Sequence, residues 1–160
     1  MFHVAVYLAA IIGANLSIAH FGPWIAPINS FLLIGLDLSL RDRLHERWSN
    51  NLWPRMLGLI AAAGAISYVL NPAAGMIAIA SVVAFTSAAL TDSAVYHSLK
   101  GKVWAVKANG SNVAGAAVDS VIFPLLAFGG MKWEIIAAMF AAKVAGGAVW
   151  TYVLPRTQAT

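Results

Sequence analysis

Apolar residues run through this chain in stretches of about 20, the length a helix needs to cross the hydrocarbon of a bilayer. Six such stretches occur, over 2–20, 22–39, 52–70, 73–98, 109–129 and 132–154. Between them stand Phe21-Gly22-Pro23, the charged run 41–47, Asn71-Pro72, Lys100-Gly101-Lys102 and Gly129-Gly130, where turn-forming or charged residues interrupt the apolar pattern. The pattern predicts an all-α integral membrane protein with a single six-helix membrane domain over 1–160. The run from Met1 to Ala19 lacks the basic start of a signal peptide, so it is read as the first span.

Composition agrees, with 61% of the 160 residues apolar and 10% charged, against about 25% charged in soluble domains. The ten Lys and Arg against six Asp and Glu do not point to nucleic acid, because the bases lie in short connections rather than on a folded polar surface. Arg41, Arg43, Arg47 and Arg55 fall between the second and third spans, Lys100, Lys102 and Lys107 around the start of the fifth, and Arg156 in the tail. Basic residues near span ends stay in the cytoplasm, which places both termini there. Trp24, Trp48, Trp53, Trp104, Trp133 and Trp150 sit near span ends, where indole rings prefer the headgroup region. With no cysteine, thiol catalysis, cysteine-ligated zinc and disulfides are excluded.

The segment LRDRLHERW spaces Leu40, Leu44 and Trp48 four residues apart. This predicts one apolar stripe on a short helix at the cytoplasmic interface. It is read as a solvated positive-inside connection, the alternative being a docking surface for a cytoplasmic partner. Three spans in each half would make an internal repeat inverted, yet only the placement of Asp37 and Asp119 matches between the halves.

Six ionisable residues lie in or beside the spans: Asp37, Arg55, Asp92, Asp119, Glu134 and Lys143. Arg55 and Glu134 are close enough to span ends to reach water. Asp37 and Asp92 fall in the cytoplasmic third, and Asp119 and Lys143 near mid-membrane, where a charge is costly and marks either a pair or a pathway. Asn112, Gly115 and Asp119 recur at i, i+3 and i+7, on one face of the fifth span. That face should turn inward. Asp119 and Lys143 could simply form an ion pair locking the fifth span to the sixth. Asn15 in the first span is the amide best suited to a nucleobase edge, since it both donates and accepts. Ser17, Ser87, Thr91, Ser93 and His97 are read mainly as contacts within or between helices, and Ala142 with Gly146 as a packing pair. There is no GxxxxGK[ST] motif for nucleotide hydrolysis, and His3, His20, His45 and His97 show no i, i+4 pair for a metal. No nucleophile–base constellation occurs. Neither an enzyme nor a cofactor is expected.

The stretch NGSNVAGAAVDSVIF, Asn109 to Phe123, followed by Ala127-Phe128-Gly129, resembles the signature of the vitamin uptake transporters, also called queuosine-precursor transporters. PINSFLLIGLDLSLRDRL is similar to that family's second helix, which ends in an aspartate before a charged cytoplasmic loop. The chain departs from the family pattern at Ala116-Ala117, where many relatives carry glutamine, and at Arg41, where many carry an acidic residue. The resemblance implies a fold like that of the substrate-binding subunits of energy-coupling-factor transporters. It also implies import of a 7-deazaguanine such as 7-cyano-7-deazaguanine, with Asp119 facing the ligand and Asp37 matching the family's second-span aspartate.

The expectation is therefore a multi-pass inner-membrane importer of a small purine-like molecule. Its substrate would be bound by Asp119, Asn112, Asn15, Asp92 and Asp37, with Lys143 in the cavity or paired to Asp119. Two alternatives stand beside it: a binding subunit that needs a separate ATPase module docking on 40–48, and a membrane scaffold that transports nothing.

Overall fold

The computed structural model describes residues 2–48, 52–130 and 132–153. The side chains of Arg41, Arg43, Arg47 and Trp104, and all of Arg156, on which part of the orientation and interface reading rests, lie outside what is described. Among the described residues, six helices are long and apolar enough to cross a membrane. The first span is Phe2–Phe21, the third Leu52–Leu70, the fifth Trp104–Phe128 and the sixth Trp133–Val153. The fourth opens with a 3-10 turn, Pro72–Ala74, and continues as Gly75–Ser98.

The second span, over 23–47, is the irregular one. It joins a 3-10 turn at Pro23–Ile25, an α-helical turn at Ala26–Asn29, a π-helical stretch at Ser30–Ile34 and an α-helix at Gly35–Arg47. Proline suits such starts because its missing N–H falls where a helix has no partner for one, which accounts for Pro23 and Pro72. The Asn71 side chain caps the fourth span by accepting from the Ala73 N–H at 3.0 Å. Gly129 ends the fifth span in the left-handed region at φ 66°, a conformation glycine takes without steric cost.

The charged segment after the second span differs from its prediction. Instead of a separate interfacial helix, the α-helix runs on to Arg47, and Leu40 and Leu44 are buried in the core with Met56 and Ile60 of the third span. Their i, i+4 spacing is a packing stripe that extends the second span beyond its predicted end at 39. Trp48 is half-buried, with the Arg55 guanidinium 5.6 Å from its ring centroid, a cation–π contact. The fifth span also starts five residues earlier than predicted, at Trp104, because lysine and asparagine near a helix end can reach water without breaking it.

The spans pack side by side in the cyclic order first, third, fourth, fifth, sixth, second. The fourth and fifth run antiparallel with the most extensive contact, and the second pairs in parallel with the sixth. That second pairing is very close. A Cβ added at Gly35 would lie 2.6 Å from the Gly146 carbonyl carbon, and one at Gly146 would strike the Phe31 carbonyl. Small residues let helix backbones approach in this way, as expected for Gly146. Two bonds tie the pair beside this crossing, Ser39 Oγ to the Gly147 carbonyl at 3.2 Å and Trp150 Nε1 to the Leu32 carbonyl at 3.1 Å.

The core divides into two apolar layers. One lies towards the chain termini and includes Tyr7, Ile11, Leu40, Leu44, Met56 and Phe85. The other lies towards the opposite side and includes Ile18, Ala26, Phe123, Ile135 and Met139.

Candidate substrate site

Between these two layers five spans converge on a cavity. Its wall takes Ala14, Asn15 and Ile18 from the first span and Ala26, Asn29, Ser30 and Ile34 from the second. Ser81 and Phe85 come from the fourth, Asp119 and Phe123 from the fifth, and Met139 and Lys143 from the sixth. Asp119 is nine residues from the end of the fifth span, roughly 14 Å at 1.5 Å per residue, so the cavity sits near the middle of a hydrocarbon layer about 30 Å thick. The space in which the centre of a water molecule can sit is about 20 Å³. That is room for about one ordered water and far less than a bicyclic ring occupies, so a ligand of that size requires the spans or side chains to move.

Asp119 and Lys143 meet here. Lys143 Nζ lies 2.5 Å from Asp119 Oδ2 and donates to Ser120 Oγ at 3.1 Å. Both side chains are more than nine-tenths buried. The ion pair expected between the fifth and sixth spans is therefore present, which answers how a carboxylate is accommodated at this depth: its charge is compensated directly. The compensation is incomplete. Asp119 Oδ1 and the hydroxyl of Ser30 are buried in the cavity wall with no hydrogen-bond partner among the described residues. A buried polar atom left in that condition is costly.

The backbone is also irregular on both flanks of the cavity. Ser30 and Ile34 bound the π-helical stretch of the second span, and π-turns inside helices recur at functional sites. In the fifth span Pro124 lies inside the helix, fully buried, and deprives the Ser120 carbonyl of its usual amide partner.

Asn15 takes a different position from the one its chemistry suggested. It lines the cavity, but its Nδ2 donates to Ser67 Oγ at 3.1 Å and its Oδ1 accepts from Ser81 Oγ. Ser67 in turn donates to the Ala63 carbonyl at 2.8 Å. Asn15 thus ties the first span to the third and fourth. Asn29, which sequence reasoning passed over, is similarly engaged, donating to Ser17 Oγ at 2.6 Å and the Ala14 carbonyl at 3.3 Å.

The remaining predicted residues do not line the cavity. Asn112 is buried on the same face of the fifth span as Gly115 and Asp119, but seven residues separate it from Asp119, roughly 10 Å along the axis. Asp92 lies eleven residues from Ser81, roughly 16 Å towards the C-terminal end of the fourth span. It packs on Gly115, where an added Cβ would approach the Asp92 Cβ to 3.4 Å. Asp92 is 1% exposed, and neither of its oxygens has a partner among the described residues. Asp37 is fully buried in the second span, away from the cavity wall. Thr91 and His97 bond to carbonyls of their own helix, while Arg55 and Glu134 are exposed at span ends, as expected.

Ser30, Ser81, Phe85, Phe123 and Met139 were not singled out as wall residues. Ser30 stood in the quoted PINSF stretch and Phe123 at the end of the quoted fifth-span motif. The others look like ordinary apolar or small-residue positions until the six helices are assembled.

No curated protein and no solved structure matches the chain. A family model does, described as Putative vitamin uptake transporter, over residues 47–155. The match takes in the third to sixth spans, including Asp119 and Lys143, and more than half of the chain. With six membrane-crossing helices around a mid-membrane polar site, this chain is a multi-pass membrane protein belonging to the vitamin uptake transporter family.

Proposed function

We propose that the chain imports a small, planar, purine-like molecule across the inner membrane, a 7-deazaguanine precursor of queuosine such as 7-cyano-7-deazaguanine. The observation that carries this reading is the Asp119–Lys143 pair, held at mid-membrane in the wall of a five-span cavity with Asp119 Oδ1 unpartnered among the described residues. A structural ion pair would be better satisfied with every lone pair used. An open acceptor on a carboxylate, beside the Ser30 hydroxyl and the rings of Phe85 and Phe123, suits a flat ring that brings N–H donors. Substrate sites near the bilayer midplane are usual in secondary transporters.

The chain works as a carrier in its own right. A separate ATPase module would need a docking face, and two of the three residues expected to supply one, Leu40 and Leu44, are committed to the core.

The test is rescue of queuosine in tRNA. The host is a bacterial strain that neither makes the precursor nor has its own importer, fed a low concentration of 7-cyano-7-deazaguanine. Rescue by the native chain, lost in an equally expressed Asp119→Asn variant, is the expected result. No rescue despite good membrane expression would refute import of this precursor by the chain alone.

A further inference from the structure

Asp119 and Lys143 do not exhaust one another. A lysine ammonium carries three N–H donors and no acceptor, and here one is directed to Asp119 Oδ2 and one to Ser120 Oγ. The third remains on a side chain that lines the cavity. On the carboxylate, Oδ2 is engaged with the ammonium while Oδ1 has no partner among the described residues. The pair therefore offers the cavity one acceptor and one donor, next to each other and of opposite charge.

We infer that this pair recognises the lactam edge of the substrate, a ring N–H beside a ring C=O, with the N–H donating to Asp119 Oδ1 and the carbonyl accepting from Lys143 Nζ. The inference rests on the import reading above and refines it by making Lys143 a specificity-determining residue. It also separates two ways of holding a guanine-like ring. If Asp119 acted alone, its two oxygens would accept two parallel N–H donors, the ring N–H and the 2-amino group. With Oδ2 committed to Lys143, that second contact is displaced by the carbonyl–ammonium contact. The 2-amino group then contributes little to recognition.

The experiment is competition for uptake of labelled 7-cyano-7-deazaguanine by the full chain in proteoliposomes. One competitor is the analogue lacking the 2-amino group, and the other is the O6-methyl analogue, which has no ring N–H and a masked oxygen. The lactam reading expects the 2-deamino analogue to compete within about threefold of the parent, and the O6-methyl analogue at least about tenfold worse, the size of one lost charge-assisted hydrogen bond. A tenfold loss with the 2-deamino analogue would show that two donors are read and overturn the inference while leaving import standing. Equal competition by the O6-methyl analogue would also overturn it. Absence of uptake of the parent itself would remove the import reading, and the inference with it.

A double variant, Asp119→Asn with Lys143→Gln, keeps hydrogen-bonding groups at both positions without buried charge. If it folds and binds the parent, its discrimination against the O6-methyl analogue should fall to below about threefold. Unchanged discrimination would overturn the assignment. Should the double variant fail to accumulate in the membrane, the analogue comparison on the native chain stands as the test.

Discussion

Asp119 and Lys143 each need the other more than the fold needs either. Replacing one of them alone leaves an uncompensated charge in the middle of the membrane, which costs about 3–5 kcal/mol in comparable buried pairs. Asp119→Leu is therefore expected to lower the unfolding temperature in detergent sharply, whereas Asp119→Leu with Lys143→Leu together should regain most of the loss. Uptake separates structure from function. The double leucine variant should be folded and inactive, and retained uptake would reduce the pair to a strut. Both residues could be singled out from the sequence, because an ionisable group far from a span end has few ways to be tolerated. The role of Asn15 could not be read that way, since its partners Ser67 and Ser81 are 52 and 66 residues distant. For Asn15→Ala the expectation is a stability loss of about 1–3 kcal/mol, measured by thermal unfolding, with ligand discrimination unchanged.

At the level of the helices, the second and sixth spans are held by backbone contact more than by side chains. Gly146 faces the Phe31 carbonyl so closely that even alanine has no room. Gly146→Leu should drive the two spans apart and abolish accumulation in the membrane. Gly58 gives the contrasting case: nothing lies within 4 Å of the Cβ it would gain. Gly58→Ala should thus be neutral or stabilising by up to about 1 kcal/mol through helix propensity; the membrane level of the Gly146 variant and thermal unfolding of the Gly58 variant check the pair of expectations. Existence and number of the spans were legible because hydropathy over about 20 residues is a strong signal. The π-helical stretch at Ser30–Ile34 was not legible. It lies against Gly146 and Trp150 of the sixth span, which are more than 110 residues away in sequence. The stripe Leu40, Leu44, Trp48 was seen, but hydrophobic spacing alone does not say whether a stripe meets lipid, a partner or the protein's own third span.

For the molecule as a whole, the cavity lies between the layer containing Phe85 and Leu44 and the layer containing Phe123 and Met139. The first of these layers is drawn from the first three spans with Phe85 added from the fourth, and the second mixes residues of the first, second, fourth, fifth and sixth, so the hydropathy profile reveals spans but not the centre they enclose. This arrangement bears on the cell's energy supply as well as on its cargo. A membrane that stores a proton gradient tolerates many copies of a carrier only if each is a good insulator when idle. Two apolar layers with room for about one water between them leave no continuous wire of water for protons to hop along. Phe85→Ala, which trims the wall shared by the cavity and the layer nearer the chain termini, should therefore make proteoliposomes leak protons faster than native ones in a pH-dye assay. An unchanged leak would mean that the insulation resides in the opposite layer.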